Sequence, residues 1–465
     1  MINLVQARCG AGKTNVALKN IKPFTIFAVP TLRLFESITQ RSNHNWYKVS
    51  YQHTTGKVAE ELLKAIIEHN QYILCTHEAV SRLLDQGTKD VFKKYNLIID
   101  EQPKLIESSV HSTTDSDIDY FKSLIKFKDG SNLVTSRETK EALKRKIENI
   151  ENGKNSTKHN LPLWNSLYAS TYEGSGRVFH VHQGKENELH LGLISCKRYQ
   201  DVSKEFNSVT IMTADDIRNG LGCIVLSDGF KEPVWAKSLE KKYKGKIKII
   251  PLSNRRMIST HALDSEVNGI TVKERMIEIA RKYNAEIILN NKNHIHTENP
   301  IPVVSHGLND WNEAKAIACI YSCRPSPALE EALNMFHPRA VEAFLRTNYL
   351  DVVHQGCARG RMRNNKDQIC IVPDLDSAEY LLSKCENGFI DTSEMIDLED
   401  SGRGKYERKQ SVLKGIFGDN KKLKAFRTWC NNNKIKYDVN TTNPSLIKLA
   451  SVYNNQGAAA ARKEI

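Results

Sequence analysis

The first hundred residues alternate short apolar runs with helical patterns, and few folds accommodate that alternation. Leu4-Val5, Ile26-Phe27-Ala28-Val29, Tyr72-Ile73-Leu74 and Leu97-Ile98-Ile99 are bounded by turn residues or charges and read as buried strands. Between them, Val58–His69 sets Leu62, Leu63, Ile66 and Ile67 on one helical face. Strand and helix in turn predict a doubly wound, parallel α/β sheet.

From about 104 to 207 the rhythm breaks. Ser136–Glu151 is a charged helix pattern, Asn152–Asn160 is polar, and Val178–Leu193 alternates like a hairpin around Gly184-Lys185-Glu186-Asn187. This region is expected to be an insertion in a first domain spanning 1–220. Alternation then resumes, with strands expected at Ile247–Pro251, Glu286–Leu289, Ile301–Val304 and Gln368–Val372, and helices at Lys273–Tyr283 and Asn312–Tyr321. A second α/β domain over 221–400 follows. A length of 465 residues fits about three bodies at roughly 150 residues each.

The third body is set off by charge. The chain carries 67 Lys+Arg against 54 Asp+Glu, formally +13. Residues 401–465 hold fourteen bases and four acids, whereas Ser377–Asp400 holds seven acids and one base. So sharp a sign change marks a boundary and leaves the body nearly balanced. The basic module suggests a polyanion partner, with a merely solvated basic face as the bland alternative. Within it, Phe426 and Trp429 at helical spacing read as a small core, with Lys422, Lys424 and Arg427 free to face phosphate. Residues 444–465 fit a helix-turn-helix only loosely.

Other classes are disfavoured. No apolar run nears the roughly 18 residues of a membrane span, and mean hydropathy is −0.48. The opening run meets Arg8 too early for a secretion signal. Ten cysteines without a Cys-x-x-Cys pair point to a reduced, cytoplasmic chain, and Cys319 with Cys323 reads as two thiols on one helix.

Chemistry enters at Ala7-Arg8-Cys9-Gly10-Ala11-Gly12-Lys13-Thr14, between a strand and a helix pattern. Gly10, Ala11 and Gly12 let backbone N–H groups curl around phosphate oxygens. Lys13 is expected on the β/γ-phosphates of ATP and the Thr14 hydroxyl on Mg²⁺. Asn96-Leu97-Ile98-Ile99-Asp100-Glu101 is a strand ending in two carboxylates, Asp100 for the metal and Glu101 as general base toward water. Far downstream, His354-Gln355-Gly356-Cys357-Ala358-Arg359-Gly360-Arg361-Met362-Arg363 offers Gln355 and three arginines as candidates for stabilising a transferring phosphoryl group. The alternative for those arginines is a nucleic-acid face.

The order of these motifs resembles superfamily 2 helicases and translocases, in a divergent phage or mobile-element flavour with a DEAD/DEAH-like acidic box. Ala7–Thr14 is similar to that family's first motif, and Ala28-Val29-Pro30-Thr31-Leu32-Arg33 and Cys75-Thr76-His77 to its strand-contacting motifs. Met212-Thr213-Ala214-Asp215 stands at the third motif, ending in Asp where the family has Thr. Ser305-His306-Gly307-Leu308-Asn309-Asp310 resembles the fifth and Gln355–Arg363 the sixth, where either Arg361 or Arg363 supplies the finger. The resemblance implies two RecA-like domains and ATP hydrolysis with Mg²⁺. It further implies nucleic-acid contacts from Thr31, Arg33, Thr76, His77, Ser305 and His306.

The leading expectation is an ATP-dependent helicase or translocase, acting on DNA rather than RNA in phage or mobile-element replication, with replication proteins as partners. A second is a replication-origin or structure-specific DNA-binding protein with a degraded motor, motivated by the basic tail. A third, a P-loop nucleotide kinase, is disfavoured by Glu101 and by the distant arginines.

Overall fold

The structure, a computed structural model, describes residues 1–398 except 55–56, 86–89, 114–125, 129–131, 135–136, 153–160, 162–163, 165–166, 169–176, 184–188, 197–198, 200–201, 227–228, 268, 291–299 and 304–309. Beyond these it describes 425–426, 428–430, 433 and 450–454. The chain forms two compact units, Met1–Ile396 and Asp397–Ile465.

The first unit is built on two parallel sheets. Strands β1 (Ile2–Gln6), β2 (Thr25–Val29), β3 (Tyr47–Val49), β4 (Tyr72–Thr76) and β5 (Asn96–Asp100) are the short apolar runs of the sequence and their neighbour. After β5 the chain lays down a separate antiparallel sheet, from β6 (Ile106–Thr113), β7 (Lys126–Lys128), β8 (Asn132–Val134), β9 (Arg177–Gln183) and β10 (Leu189–Cys196). It then returns as β11 (Ser208–Thr213) and β12 (Phe230–Lys231). The first parallel sheet has the order β12-β1-β11-β5-β2-β4-β3. Every residue of β2 is buried, because helices cover both faces and leave no polar side to alternate with. The edge strand β12 pairs with β1 from beyond residue 220.

The second parallel sheet comprises β13 (Tyr243–Pro251), β16 (Glu286–Leu289), β17 (Ile301–Pro302), β18 (Ala316–Ile320), β19 (Gln368–Val372) and β20 (Cys385–Ile390), ordered β17-β16-β18-β19-β13-β20. A small hairpin, β14 (Glu266–Val267) with β15 (Ile270–Thr271), lies apart from it. The expected helix at Asn312–Tyr321 is instead β18, a central strand whose five residues are all buried. Ala-Ile-Ala-Cys-Ile is too short for periodicity to separate strand from buried helix, and β-branching decided it. Cys319 therefore sits on a strand. Among the described residues no cluster of three or more histidines, cysteines and acids is placed to hold a metal ion.

The helix Pro327–Phe336 follows β18 yet sends Ala332 and Leu333 into the hydrophobic core of the first sheet. It crosses β10 so closely that a Cβ on Gly192 would lie 2.7 Å from the Ala328 carbonyl oxygen. The chain comes back to the second sheet through one π-helical turn, Arg346–Leu350, and the helix Asp351–Cys357. In the second unit, Phe426 and Trp429 stack with centroids 5.9 Å apart, and Tyr453 meets both. That buried aromatic cluster fits the core reading of the tail. Among the described residues no helix is long and apolar enough to cross a membrane.

Candidate active site and nucleic-acid groove

The loop after β1 is held open by backbone geometry. Gly10 and Gly12 both take positive φ, +79° and +81°, where a side chain is strained. The Ala7 N–H donates to the Thr213 carbonyl (3.1 Å) and the Arg8 N–H to the Glu240 carbonyl (3.1 Å), fixing both ends of the turn that leads into the helix Lys13–Lys19. The buried Lys13 Nζ donates to the Ala7 and Arg8 carbonyls at 3.0 and 3.2 Å, so the ammonium spans the mouth of the loop. Next to it, the Thr14 hydroxyl donates to Asp100 Oδ2 at 2.9 Å.

Asp100 is buried at the tip of β5. Burial and then the neighbouring Glu101 charge push its carboxyl up to about 7, against the pull of Thr14, Lys13 and Arg41. A divalent cation would relieve that cost. Two hard oxygens at hydrogen-bonding separation, one hydroxyl and one carboxylate, suit Mg²⁺, which takes few protein ligands and keeps its waters. Glu101 adopts φ +71°, a left-handed conformation that costs a non-glycine residue on the order of 1 kcal/mol or more. Its N–H donates to the Met212 carbonyl (2.7 Å), while Oε2 is buried with no hydrogen-bond partner among the described residues. That unpartnered carboxylate oxygen is available to accept a hydrogen bond or a proton from a molecule in the cleft.

Residues of the second sheet complete this cleft of 350 Å³. Gln355, Ala358, Arg359, Arg363 and Asn364 face Gly10, Lys13, Thr14 and Glu101 across it. The apposition is tight: a Cβ on Gly10 would lie 2.5 Å from Arg363 Cγ, and Arg8 donates to the Arg363 carbonyl at 2.6 Å. Arg8 also pairs with Glu240, which Lys244, Arg8 and Asn365 hold down at about 2. The Cys9 N–H donates to Tyr243 Oη (3.2 Å), and the same hydroxyl is hydrogen-bonded to His354 Nε2 (3.0 Å). Burial pushes His354 well below the usual histidine range, which keeps it neutral. Burial likewise lowers Arg359. Arg361 lies elsewhere, its Nε 3.8 Å from Glu313 outside the cleft lining.

One residue lining the cleft and one bonded to its lining gave little sign in the sequence. Arg41, last in the helix Arg33–Arg41, lines the cleft but looks like any terminal helix cation. Asp215 accepts a hydrogen bond from Gln355 Nε2 at 2.6 Å. Burial and the Glu101 charge push its carboxyl up to about 6. Its departure from the usual third motif was the available signal.

Thr31, Arg33 and Thr76 meet in a separate groove of 710 Å³, together with Tyr51, Gln52, Arg82 and Pro302. Thr31 Oγ1 is buried there with no hydrogen-bond partner among the described residues, and Tyr51 is 73% exposed. The Thr76 hydroxyl accepts from the Ala79 N–H (3.3 Å), starting the helix His77–Asp85. His77 is absent from the groove lining; its Nε2 meets the Asp100 carbonyl at 2.9 Å. Ser305 and His306 lie outside the described residues.

No protein-family model matches the chain, and no curated protein matches it. Some solved structures align with it over most of its length. A structure titled as apo XPD shares 14% identity over 85% of this chain and 97% of its own, with a TM-score of 0.45. A variant of S. cerevisiae Dbp5 bound to a Gle1 variant and IP6 shares 10% identity over 90% and 89%, with a TM-score of 0.29. The yeast DEAD-box splicing factor Prp28 shares 11% over 87% and 81%, with a TM-score of 0.18.

Proposed function

We propose that this chain is an ATP-dependent nucleic-acid helicase or translocase, acting on DNA in phage or mobile-element replication. One observation carries the reading. Gly10, Gly12, Lys13, Thr14 and Glu101 from one sheet's side share a single cleft with Gln355, Arg359 and Arg363 from the other, and Asp100 is bonded to Thr14 directly behind it.

The residues present fit ATP and Mg²⁺. Thr14 and Asp100 would hold the metal ion, which supplies charge neutralisation for the β- and γ-phosphate oxygens. The N–H groups around Gly10, Ala11 and Gly12 cradle phosphate oxygens, and Lys13 exchanges its carbonyl partners for them. Glu101 Oε2 takes one proton of the attacking water as its oxygen bonds to the γ-phosphorus. The bond from that phosphorus to the bridging oxygen breaks, and the electron pair leaves with ADP. Arg359 and Arg363 stabilise the charge on the moving phosphoryl group. Because those arginines come from the second sheet, nucleotide favours the closed apposition and product loosens it.

The groove at Thr31, Arg33 and Thr76 is the proposed track, and residues 401–465 are a proposed basic nucleic-acid module. The deciding experiment measures ATP hydrolysis by the full chain with single strand, duplex, fork, and DNA against RNA. Single-stranded DNA is expected to stimulate it, and Lys13→Ala or Glu101→Gln to abolish it. Equal hydrolysis with and without every nucleic acid sinks the motor.

A further inference from the structure

Gln355 Nε2 lies 2.6 Å from Asp215 Oδ1, and the two residues belong to opposite sheets. A carboxylate can only accept, so the nitrogen end of the Gln355 amide is the end turned toward Asp215. The other end, Oε1, is then an acceptor on a side chain that lines the cleft together with Glu101 and Arg359. Asp215 is only 5% exposed, two residues beyond the end of β11, which lies next to the strand that carries the acids: Met212 pairs with Asp100. The Asp215 N–H is tied to Thr213 Oγ1 at 2.9 Å, which anchors the carboxylate's own backbone.

We propose that Asp215 is a positioning residue that fixes the Gln355 amide so that its Oε1 accepts a hydrogen bond from the attacking water. The water then has two acceptors: Glu101 removes one proton and Gln355 Oε1 holds the other O–H, leaving a lone pair aimed at phosphorus. A threonine, with one rotatable hydroxyl, can accept or donate and so leaves the amide free to turn over. An aspartate imposes one orientation.

The surrounding seam keeps this contact in register. Arg346 pairs with Asp216 at 3.1 Å, and the Leu221 N–H donates to Thr347 Oγ1 at 3.1 Å. Gly220 lies so close to that hydroxyl that a Cβ would come within 2.6 Å. Three consecutive attachments from 215 to 221 thus join the third-motif loop to the π-turn and the helix that bears Gln355. Separation of the sheets at this seam breaks the Asp215–Gln355 contact, so hydrolysis is confined to the closed state.

This inference rests on the ATPase reading, and the test separates the two. Steady-state ATPase of the full chain is measured with saturating single-stranded DNA for wild type, Asp215→Asn, Gln355→Ala and the double variant, with thermal melting as a check on folding. Asp215→Asn keeps the shape but lets the amide sit either way round. Its kcat is expected to fall about tenfold with KM for ATP within about twofold. The double variant should be no slower than Gln355→Ala alone, because both changes remove one function. An unchanged kcat in Asp215→Asn, or losses that multiply in the double variant, overturns the positioning role while leaving the motor intact. A wild-type chain without ATPase overturns both.

Discussion

His77 Nε2 donates its proton to the backbone carbonyl of Asp100, 2.9 Å away, since a carbonyl can only accept. The preceding residue, Thr76, lines the groove proposed for nucleic acid. Two adjacent residues therefore face two different sites. If a strand engages Thr76 as proposed, a displacement of the helix His77–Asp85 would reach the acidic turn through His77.

This relation predicts a selective defect. His77→Ala should leave DNA affinity within about threefold but cut DNA-stimulated kcat about tenfold, the cost of one buried hydrogen bond at a reacting group. His77→Gln, which retains an N–H donor, should recover part of it. Measuring affinity and stimulated rate on the same preparations decides the matter: equal losses in both would place His77 on the strand itself.

The acidic residues should separate by role. Glu101→Gln keeps the volume but cannot take a proton, so nucleotide binding should survive while hydrolysis falls by about 10²–10⁴. Asp100→Asn removes a hard oxygen beside Thr14, and its remaining activity should demand a higher Mg²⁺ concentration. A Mg²⁺ titration of ATPase with parallel nucleotide-binding curves would show both effects. Wild-type Mg²⁺ dependence in Asp100→Asn would remove that residue from the metal site.

The two phosphate-loop glycines should differ although both have positive φ. Gly12→Ala suffers only the left-handed backbone, roughly 1–2 kcal/mol, since nothing lies within 4 Å of its Cβ position. Gly10→Ala adds contacts of 2.5 and 2.6 Å with Arg363, on the facing sheet. It should therefore hold the cleft ajar and lose most hydrolysis, beyond what its melting temperature explains. Similar ATPase in the two variants would show that the tight apposition has no part in turnover.

How much of this was legible in sequence depends on how local the cause is. The strands β2 and β5 and the loop between Ala7 and Thr14 follow from apolar runs and glycine placement, each set within a few residues. The strand β18 was misread because Ala-Ile-Ala-Cys-Ile satisfies either period and only its neighbours β16 and β19 settle it. The Asp215–Gln355 bond spans 140 positions and depends on how two sheets face each other. The helix Pro327–Phe336 joining the first core is a similar case: its apolar stripe announces burial but does not name the partner.

The three arginines are distinguished by where they point. Arg359 and Arg363 line the cleft, whereas Arg361 turns to Glu313. Replacing either of the first two by alanine should lower kcat by about a thousandfold, the scale of losing a cation at a phosphoryl group. Arg361→Ala should change kcat less than about threefold and cost at most about 1 kcal/mol of stability, because a partly exposed pair contributes little. A full loss in Arg361→Ala with the other two active would reverse the assignment.

Tyr51 offers the sharpest test of the groove. It is 73% exposed beside Thr31, Arg33 and Thr76, an apolar ring left in water where a strand is proposed to pass. Every base has a π-face, so an aromatic ring there grips without reading sequence, worth about 1–3 kcal/mol per stacked base. Tyr51→Ala should weaken single-stranded DNA binding roughly tenfold or more, and Tyr51→Phe should restore it. Arg33→Ala should instead reduce the salt dependence of binding by about one counterion, because its contact is with phosphate. Binding isotherms over a salt series separate the two effects. If Tyr51→Ala binds like wild type while Arg33→Ala does not, the strand runs along the cationic wall of the groove and never reaches the ring.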